Sequence, residues 1–165
     1  MSITETRVRT TMNSELFSVE DLRIRFSSGA ARSCQRLRMH FPNSVMIVAF
    51  TPHNTLLLIR EFAAGTGDYV TKFPTGSLEQ NESVEAAAVR ELREETGWIA
   101  QTVSIVKSMF ADPGYCDQRT YIVVAKDLVC GETRGDEPER PSLHECVTTD
   151  LLSLFALHRS WTHAR

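Results

Sequence analysis

Residues 81–99 have the sequence NESVEAAAVRELREETGWI, and this segment decides how the rest of the chain is interpreted. The pattern predicts a helix that ends at Gly97, with Asn81 as its N-cap and with Glu82 and Glu85 in the first turn, where acids are favoured. On a helical wheel of about 100° per residue, one stripe is apolar. That stripe consists of Val84, Ala87, Ala88 and Leu92. We therefore predict an amphipathic helix packed on a core.

The last two turns of this helix carry three glutamates. Glu91 and Glu95 fall inside the apolar stripe, and Glu94 flanks it. A helix C-terminus is partially negative, and an isolated buried carboxylate is costly, so both factors disfavour these acids. Arg90 is within i,i+4 reach of Glu94, but Arg93 lies on the opposite face. The pattern favours a bound hard cation, Mg²⁺ or Mn²⁺, because these ions prefer carboxylate oxygens. The wheel alone does not separate this hypothesis from a solvated acidic helix end.

The composition is that of one globular domain with an appended unit. The chain has 165 residues, of which 42% are hydrophobic, so a substantial core is expected. No apolar run approaches the roughly 20 residues of a membrane span, and the first residues lack the apolar region of a secretory signal. The four cysteines are far apart and form no C-x-x-C pair. We expect a cytoplasmic protein with reduced thiols, not bound to a membrane.

The charge is distributed unevenly along the chain. Residues 1–42 contain seven arginines and four acids, a balance of +3, and the remainder contains 11 basic and 17 acidic residues, a balance of −6. A basic segment can bind nucleic acid. Here the arginines alternate with apolar residues at strand spacing and do not form a block. We therefore expect no nucleic-acid partner, and favour a strand face that meets a partner chain or a small anion.

The N-terminal segment has the pattern of a β-hairpin. Segments 16–26 and 31–41 flank SSGA, a turn signal that contains Gly29. Residues 1–12 are predicted to be frayed, and Pro42 with Asn43 breaks the chain. We place a domain boundary there, between an N-terminal β-hairpin unit of residues 1–42, used for dimerisation and substrate binding, and a main domain of residues 43–165.

The main domain alternates apolar strand patterns with helical ones. Strands are predicted at 44–50, 54–62, 70–76, 102–110, 119–128 and 144–149. The first two are continuous apolar runs, which are typical of strands buried on both faces. An acidic, proline-rich loop covers 130–142, and residues 150–161 have the pattern of a closing helix. Strands on both sides of one helix, with a second helix at the end, imply an α/β fold with a mixed sheet covered on two faces.

Residues 76–98 resemble the Nudix box of the Nudix hydrolases. The box has the pattern G-x5-E-x7-R-E-U-x-E-E-x-G-U, where U is bulky and apolar. Its positions are filled by Gly76, Glu82, Arg90, Glu91, Leu92, Glu94, Glu95, Gly97 and Trp98. Only Trp98 is unusual, being aromatic where an aliphatic residue is common. The resemblance implies an α/β/α sandwich and hydrolysis of a diphosphate linked to another moiety.

The resemblance also implies roles for individual residues. Glu91 and Glu95 would be the principal metal ligands, with Glu94 in or beside the first shell, and the Thr75 carbonyl would be a backbone ligand. Arg90 would hold the glutamates by a charge-assisted pair. Gly76 would let the loop turn tightly, and Glu82 would serve structurally near the helix start. Metals neutralise phosphoryl charge and activate water, and a glutamate takes the proton. Besides Glu94 and Arg90, the catalytic candidates lie in the loop GDEPER, namely Glu137 and Glu139, for which a solvated acidic loop is the alternative.

A wider stretch, residues 14–140, resembles the ADP-ribose pyrophosphatase branch, closest to its bacterial ADP compounds hydrolase type. That type acts on ADP-ribose, dinucleoside polyphosphates and NADH. In this branch a proline about 15 residues beyond the box goes with ADP-ribose, and Pro113 stands there. A tyrosine slightly further on goes with diadenosine polyphosphates, which matches Tyr115. The S-Q-P-W-P-F-P array of NADH pyrophosphatases is missing. An ordinary Pro-Gly turn is the alternative explanation for DPGY.

Two departures from the branch affect the phosphate contacts. Related sequences often have R-Q-Y-R where this chain has Arg60, Glu61, Phe62 and Ala63, so the second arginine is absent. Arg60 remains a candidate substrate contact, and an arginine of the N-terminal unit could substitute for the missing one. The candidates for that role are Arg23, Arg25 and Arg36. The resemblance further implies a homodimer built through the N-terminal unit.

Two alternative functions are weighed against the ADP-linked one. One is a Nudix hydrolase of nucleoside triphosphates or other nucleotide sugars, which the N-terminal unit disfavours. The other is a non-catalytic Nudix module that senses a nucleotide, which usually loses box carboxylates that this chain retains.

Overall fold

The computed structural model describes residues 2–131 and 141–147. Glu137, Glu139 and the predicted closing helix therefore lie outside the described residues. The described chain forms two sheets and one helix. The elements in order are β1 (Ile3–Asn13), β2 (Phe17–Phe26), β3 (Ala31–Met39), β4 (Asn43–Phe50), β5 (Thr55–Ala63), β6 (Asp68–Lys72), β7 (Thr75–Ser77), α1 (Val84–Thr96), β8 (Trp98–Phe110), β9 (Arg119–Cys130) and β10 (Ser142–Val147).

The larger sheet has seven strands in the order β10-β5-β4-β9-β8, with β6 paired to β5 and β7 paired to β4. The β4–β9 pair is parallel, whereas the other pairs are antiparallel. A mixed sheet with a helix packed on it is the predicted α/β architecture, which is confirmed. Within the described residues, which end at 147, all six predicted strand regions of the main domain form strands, with one of them divided.

The core lies between α1 and the centre of this sheet. Ala87, Ala88 and Leu92 of the helix are fully buried, as the wheel predicts. They pack with Val45, Ile47, Ala49, Leu57, Val123 and Ala125 of β4, β5 and β9. In β5 the four successive residues from Leu56 to Ile59 are buried, so both faces of that strand are covered. The continuous apolar runs therefore mark the centre of the sheet, which holds α1 in place.

Helix α1 begins two residues later than predicted. Its N-cap is Ser83, whose hydroxyl oxygen accepts a hydrogen bond from the Ala86 N–H at 3.1 Å. Asn81 instead has a left-handed backbone, with φ of 66°. The prediction of Asn81 as N-cap and of Glu82 in the first turn was therefore wrong. At the other end the prediction is confirmed, because Gly97 adopts φ of 77° and its N–H bonds to the Arg93 carbonyl.

The predicted strand at 70–76 is two strands separated at Phe73 and Pro74. Proline has no backbone N–H to donate, which favours such a break. The buried Pro74 keeps its carbonyl in use, since the Ile47 N–H donates to it at 2.9 Å. The break lets β6 pair with β5 while β7 pairs with β4. β7, which carries Thr75 and Gly76, is thereby aligned beside the helix.

The N-terminal segment forms a separate antiparallel sheet in the order β1-β2-β3. The predicted hairpin is present, with Gly29 at φ of 83° in its turn. The prediction that residues 1–12 are frayed was wrong, because β1 pairs with β2 over its length. Every residue of β1 is exposed, so burial contributes little and pairing defines the strand.

Within the described residues, no helix is long and apolar enough to cross a membrane. Cys34, Cys116 and Cys130 form no disulfide there; the first two are half-buried and the third is exposed.

Candidate active site

Arg90 is the centre of a hydrogen-bond network that joins α1 to the segment before it. Its Nε and Nη2 donate to the two carboxylate oxygens of Glu82, each at 2.8 Å. Nη2 also donates to the Ser77 carbonyl at 2.9 Å. Nη1 donates to Glu91 at 2.8 Å and to Glu94 at 3.1 Å. The i,i+4 rule anticipated only the Glu94 contact. The planar guanidinium holds several acceptors at once, as such forks do.

Glu82 is the acid that Arg90 satisfies most completely. The arginine hydrogen bonds hold the pKa of Glu82 below its ordinary value, with a smaller effect from the Glu79 N–H, which donates to the same carboxylate at 3.0 Å. Only 14% of the Glu82 side chain is exposed. This carboxylate is charged, and both of its oxygens accept hydrogen bonds from Arg90. Its role is therefore to hold the segment before α1 against the helix.

Glu95 differs from Glu82 in the direction of its pKa shift, which is upward. Its side chain is half-buried, and the Thr75 N–H donates to its Oε2 at 3.1 Å. Burial is the main cause that raises the pKa of Glu95, to about 8, and the nearby carboxylates of Glu61 and Glu91 add to the effect. The Lys72 ammonium opposes it only in part. At neutral pH this carboxyl group retains its proton unless a further cation is supplied.

Glu91 shows the same tendency, one helical turn away. Burial raises its pKa, although the Arg90 guanidinium acts against that shift. Its carboxyl group lies against Gly76: a Cβ at that position would be 1.8 Å from the Glu91 Cδ. Gly76 is a β7 residue and is not among the glycines with positive φ, so the expectation of a tight turn there was wrong. The glycine is required for space, which it leaves to the Glu91 carboxyl group.

The donor set suits a hard divalent cation. Glu91 and Glu95 offer carboxylate oxygens on one helix face, and Thr75 is in contact with Glu95. Within residues 2–131 and 141–147, no three acidic, histidine or cysteine side chains converge as a complete metal cluster. The two carboxylates of Glu91 and Glu95 match the number that Mg²⁺ takes from a protein when substrate phosphates supply other ligands. The residues therefore fit such an ion.

Glu94 flanks this pair: the Arg90 Nη1 that donates to Glu91 also donates to Glu94, and the charge of Glu94 adds to the raised pKa of Glu91. The Glu94 side chain is 36% exposed and lines a groove with Glu85, Arg93 and Val103 on another side of α1. Glu94, the predicted catalytic residue, is thus an accessible carboxylate beside the Glu91–Glu95 pair.

Sequence reasoning missed Lys72, which forms an ion pair with Glu61 at 2.6 Å. The β5–β6 register sets Lys72 opposite Ile59, two residues from Glu61 along the strand. Their charges influence Glu95 in opposite directions. A hairpin prediction across the Gly65 and Gly67 loop would have brought this acid and this base together. Without the register, nothing in the sequence connects them.

Arg60 lies on the outer side of the same hairpin. Its guanidinium carbon is 5.1 Å from the centre of the Tyr69 ring, and that ring makes an edge-to-face contact with Phe62 at 5.8 Å. Both aromatic side chains are exposed. The predicted contact residue is therefore part of an accessible arginine–aromatic cluster on the β5–β6 hairpin.

The other predicted substrate residues gather around β3 and the loop between β8 and β9. Pro113 and Tyr115 lie in a turn of that loop, and Tyr115 is 53% exposed. Hydrogen bonding to Asp112 raises the pKa of the Tyr115 hydroxyl. The Leu37 N–H of β3 donates to the Tyr115 carbonyl at 2.6 Å. Arg36, the neighbour of Leu37, is already paired with Glu20 at 2.7 Å.

The sheet register brings this loop close to β7. Ser44 of β4 pairs with Ser77 on one side and with Thr120 on the other, so the three residues form one row across β7, β4 and β9. Two strand spacings separate β7 from β9, about 10 Å. The loop that contains Pro113 and Tyr115 enters β9 at Arg119, directly beside this row. The box and the loop thus occupy the same end of the sheet.

Comparison with known sequences agrees with this arrangement. The NUDIX domain profile matches residues 40–163. The chain belongs to the Nudix family. The resemblance predicted from residues 76–98 is thereby confirmed, and the protein is a Nudix hydrolase. Hydrolases of this family generally need divalent metal ions.

Several proteins similar to this Nudix hydrolase are named for ADP compounds or ADP-ribose. It is 41% identical over 132 residues to the ADP compounds hydrolase NudE of Escherichia coli, covering 80% of this chain and 70% of the relative. It is 29% identical over 125 residues to the ADP-ribose pyrophosphatase of Bacillus subtilis, covering 74% and 68%. A crystal structure of an ADP compounds hydrolase superposes with a TM-score of 0.82 at 34% identity, over 98% of this chain and 96% of that one.

Proposed function

We propose that this Nudix hydrolase cleaves the pyrophosphate bond of ADP-linked compounds and releases AMP. ADP-ribose and diadenosine polyphosphates are the substrates that we favour, with NADH as a weaker one. The observation that carries the proposal is the pair of half-buried carboxyl groups with raised pKa, Glu91 and Glu95, beside the space that Gly76 leaves. The names of relatives that act on ADP compounds and ADP-ribose support the choice of substrate.

The proposed chemistry divides among the residues of the box. Glu91 and Glu95, with the Thr75 carbonyl, would hold a divalent cation, Mg²⁺ or Mn²⁺, and Glu94 would complete the set from its accessible position. That cation supplies charge neutralisation for the two phosphoryl groups. Arg90 keeps Glu91 and Glu94 in place by donating a hydrogen bond to each carboxylate. A glutamate then accepts the proton of the attacking water. Glu94, Glu137 and Glu139 are the candidates for this base.

The non-phosphate part of the substrate would extend toward Pro113 and Tyr115. Their loop begins about two strand spacings from β7, a distance that an ADP-linked molecule spans from its diphosphate. Arg60 stays a candidate substrate contact, although its guanidinium lies over the Tyr69 ring, on the face of β5 opposite Glu61. Arg36 would contribute only by leaving Glu20, with which it is paired.

Product analysis tests this function. The purified protein is incubated with ADP-ribose, diadenosine polyphosphates, NADH or nucleoside triphosphates, each with Mg²⁺ or Mn²⁺ and with a chelator. We expect AMP and ribose 5-phosphate from ADP-ribose, and no turnover with the chelator. Turnover of triphosphates alone would establish the alternative substrate class. Binding of ADP-ribose without any hydrolysis would establish a sensing module.

We also propose that the protein is a homodimer that uses residues 1–42. β1 is the outer strand of the small sheet, with all of its residues exposed, including Ile3, Val8 and Met12. An exposed strand edge with apolar side chains is a surface that proteins usually cover. The positive balance of this segment, against the negative balance of the rest, favours a second copy of the same chain as the cover.

Light scattering on the full chain tests the dimer. We expect twice the chain mass for the wild type and a single chain mass for a Val8→Glu, Met12→Glu double variant. Val106→Glu is the matched control, because Val106 is 63% exposed on β8, outside the N-terminal sheet. A monomeric wild type, or a variant that remains dimeric, contradicts the proposal.

A further inference from the structure

A short set of contacts ties the N-terminal sheet to the loop between β8 and β9. The Arg38 Nη1 donates to the Asp117 Oδ2 at 2.7 Å, and the Met39 N–H donates to the Asp117 Oδ1 at 2.8 Å. The Leu37 N–H donates to the Tyr115 carbonyl, and Leu37 forms an isolated parallel bridge with Cys116. We call these contacts, between residues 37–39 and 115–117, the Asp117 strap.

Asp117 is well suited to this task. Its side chain is only 18% exposed, although that of Arg38 is 55% exposed. Both carboxylate oxygens are used, one by a guanidinium and one by a main-chain N–H. Charge-assisted hydrogen bonds of this kind are about twice as strong as neutral ones, and their geometry is more restrictive. The strap therefore holds the loop by a charged group that water reaches poorly.

The loop has few other attachments. Its own hydrogen bonds are local, from the Tyr115 and Cys116 N–H groups to the Asp112 carbonyl and from the Ala111 N–H to the Gln118 carbonyl. The Ala111 bond extends the β8–β9 ladder by one pair and fixes the base of the loop, whereas the two bonds to Asp112 shape the turn itself. Among the described contacts, those of the strap connect the turn to another element. A displacement of about 1 Å in a positioning group is enough to change turnover strongly.

We propose that Asp117 is a positioning residue for the substrate. By fixing the 113–115 turn on β3, it keeps Pro113 and Tyr115 at the end of the β7–β4–β9 row, where they meet the non-phosphate part of the substrate. The N-terminal sheet thereby takes part in substrate selection within one chain. This inference rests on the proposed function, because it assumes that the turn contacts the substrate.

The strap does not include the box, and this separates its effects from those of the carboxylates. Glu91 and Glu95 are held by α1, β7 and Arg90, none of which contacts Asp117 in the described hydrogen bonds. Loss of the strap should therefore weaken substrate binding while the chemical step is retained. A general loss of folding would instead lower kcat together with the amount of active enzyme.

Steady-state kinetics on the full-length holoenzyme tests the proposal with three variants. Asp117→Ala removes both contacts, Asp117→Asn keeps an acceptor for the Met39 N–H, and Arg38→Met removes the guanidinium. We expect Asp117→Ala to raise KM for ADP-ribose about tenfold, the factor that corresponds to one charge-assisted hydrogen bond. The other two variants should show smaller increases, and kcat should stay within about threefold of wild type in all three.

Asp127→Asn is the matched control. Asp127 accepts a hydrogen bond from the Thr102 hydroxyl at 2.8 Å, and it lies toward the other end of β9. It also has a positive φ, which asparagine tolerates well. This variant loses the same charge by the same substitution, so its KM should equal that of wild type. An equal rise of KM in Asp127→Asn, or unchanged KM in Asp117→Ala, overturns the positioning role.

Amide hydrogen exchange provides a readout that does not depend on activity. We expect the Leu37 and Met39 amides and residues 111–118 to exchange at least about tenfold faster in Asp117→Ala, and the α1 amides to keep their protection. Unchanged exchange at Leu37 would show that the strap does not hold the loop. If wild type hydrolyses none of the ADP-linked compounds, the proposed function fails, and with it the substrate role of Asp117. The exchange result still shows separately whether the strap exists.

Discussion

Glu82 and Glu95 are acids of one short motif, and the protein surrounds them in opposite ways. Glu82 precedes α1, receives two hydrogen bonds from Arg90, and has a lowered pKa. Glu95 lies in the last turn of α1 and has a pKa raised to about 8, with a main-chain N–H as its described donor. Residue type is therefore a poor guide to role here. The compensating charge distinguishes the carboxylate that Arg90 pairs from the one that we propose as a metal ligand.

The largest effect is expected at the uncompensated acid. Glu95→Gln keeps the side-chain volume but removes a ligand charge, so the fold should persist and hydrolysis of ADP-ribose should stop. Loss of an outer-shell partner typically costs about 10–100-fold. Loss of a ligand should therefore lower kcat/KM by more than about 100-fold. The measurement is kcat/KM with saturating Mg²⁺, together with circular dichroism as a check on folding.

Glu85→Gln is the control for that substitution. Glu85 is an exposed acid in the first turn of the same helix. It should retain activity within about twofold, because it contacts neither the box pair nor Arg90 in the described hydrogen bonds. A folded Glu95→Gln enzyme with activity within a few-fold of wild type would remove Glu95 from the metal site.

A smaller loss is expected when Glu91 is displaced without being changed. In Gly76→Ala the new Cβ would occupy the place of the Glu91 carboxyl group. That group is the end of a flexible side chain, so it can move aside at little cost to folding. We expect a loss of about 10–100-fold in kcat/KM with a nearly unchanged melting temperature. Gly65→Ala is the control, since a Cβ there meets nothing within 4 Å. Equal activities of the two variants would contradict the assignment of space to Glu91.

The sequence predicted those parts of the fold that hydrophobic pattern controls. The apolar runs of β4 and β5 and the stripe of α1 are visible because burial imposes them. β1 was missed because all of its residues are exposed; only its pairing with β2 makes it a strand. Its threonines and β-branched residues favour a strand only weakly, and this preference was not enough to predict one.

The same distinction holds for the site. Glu91 and Glu95, the glutamates inside the apolar stripe, could be found from a helical wheel because one helix carries both residues. The Ser83 cap could not be distinguished from Asn81, because both residue types are good caps. In the structure Ser83 is the cap, and Glu82, directly before it, is bonded to Arg90. Lys72 and Asp117 depend on strand register and loop docking, which no local pattern encodes.

A third prediction concerns the pH dependence of folding stability without metal. The pKa of Glu95 is about 8 in the folded chain and 4.5 in its ordinary state. Between these values the unfolded chain releases the proton while the folded chain retains it, so stability falls as the pH rises. Near neutral pH the slope should approach about 1.4 kcal/mol per unit. Chemical denaturation from pH 5 to pH 8 with a chelator measures it. Glu95→Gln should flatten the curve and be the more stable protein at pH 8; a wild-type curve as flat as that of the variant would contradict the raised pKa.

The smallest effect on activity, and one of opposite pH dependence, is expected at the compensated acid. Glu82→Gln loses charge-assisted bonds to Arg90, so stability at pH 7 should fall by about 1.5–3 kcal/mol. Because the folded pKa of Glu82 is lowered, its contribution is present above the ordinary value of 4.5 and is lost as the pH falls through the folded value. The difference between variant and wild type should therefore shrink on acidification, whereas the Glu95→Gln difference grows on going alkaline. Arg90 still holds Glu91 and Glu94 in this variant, so kcat/KM should remain within about tenfold. A Glu82→Gln variant that folds as stably as wild type but has no activity would contradict this assignment. Glu82 would then have a functional role like that of Glu95, and pairing with Arg90 would not distinguish the two acids.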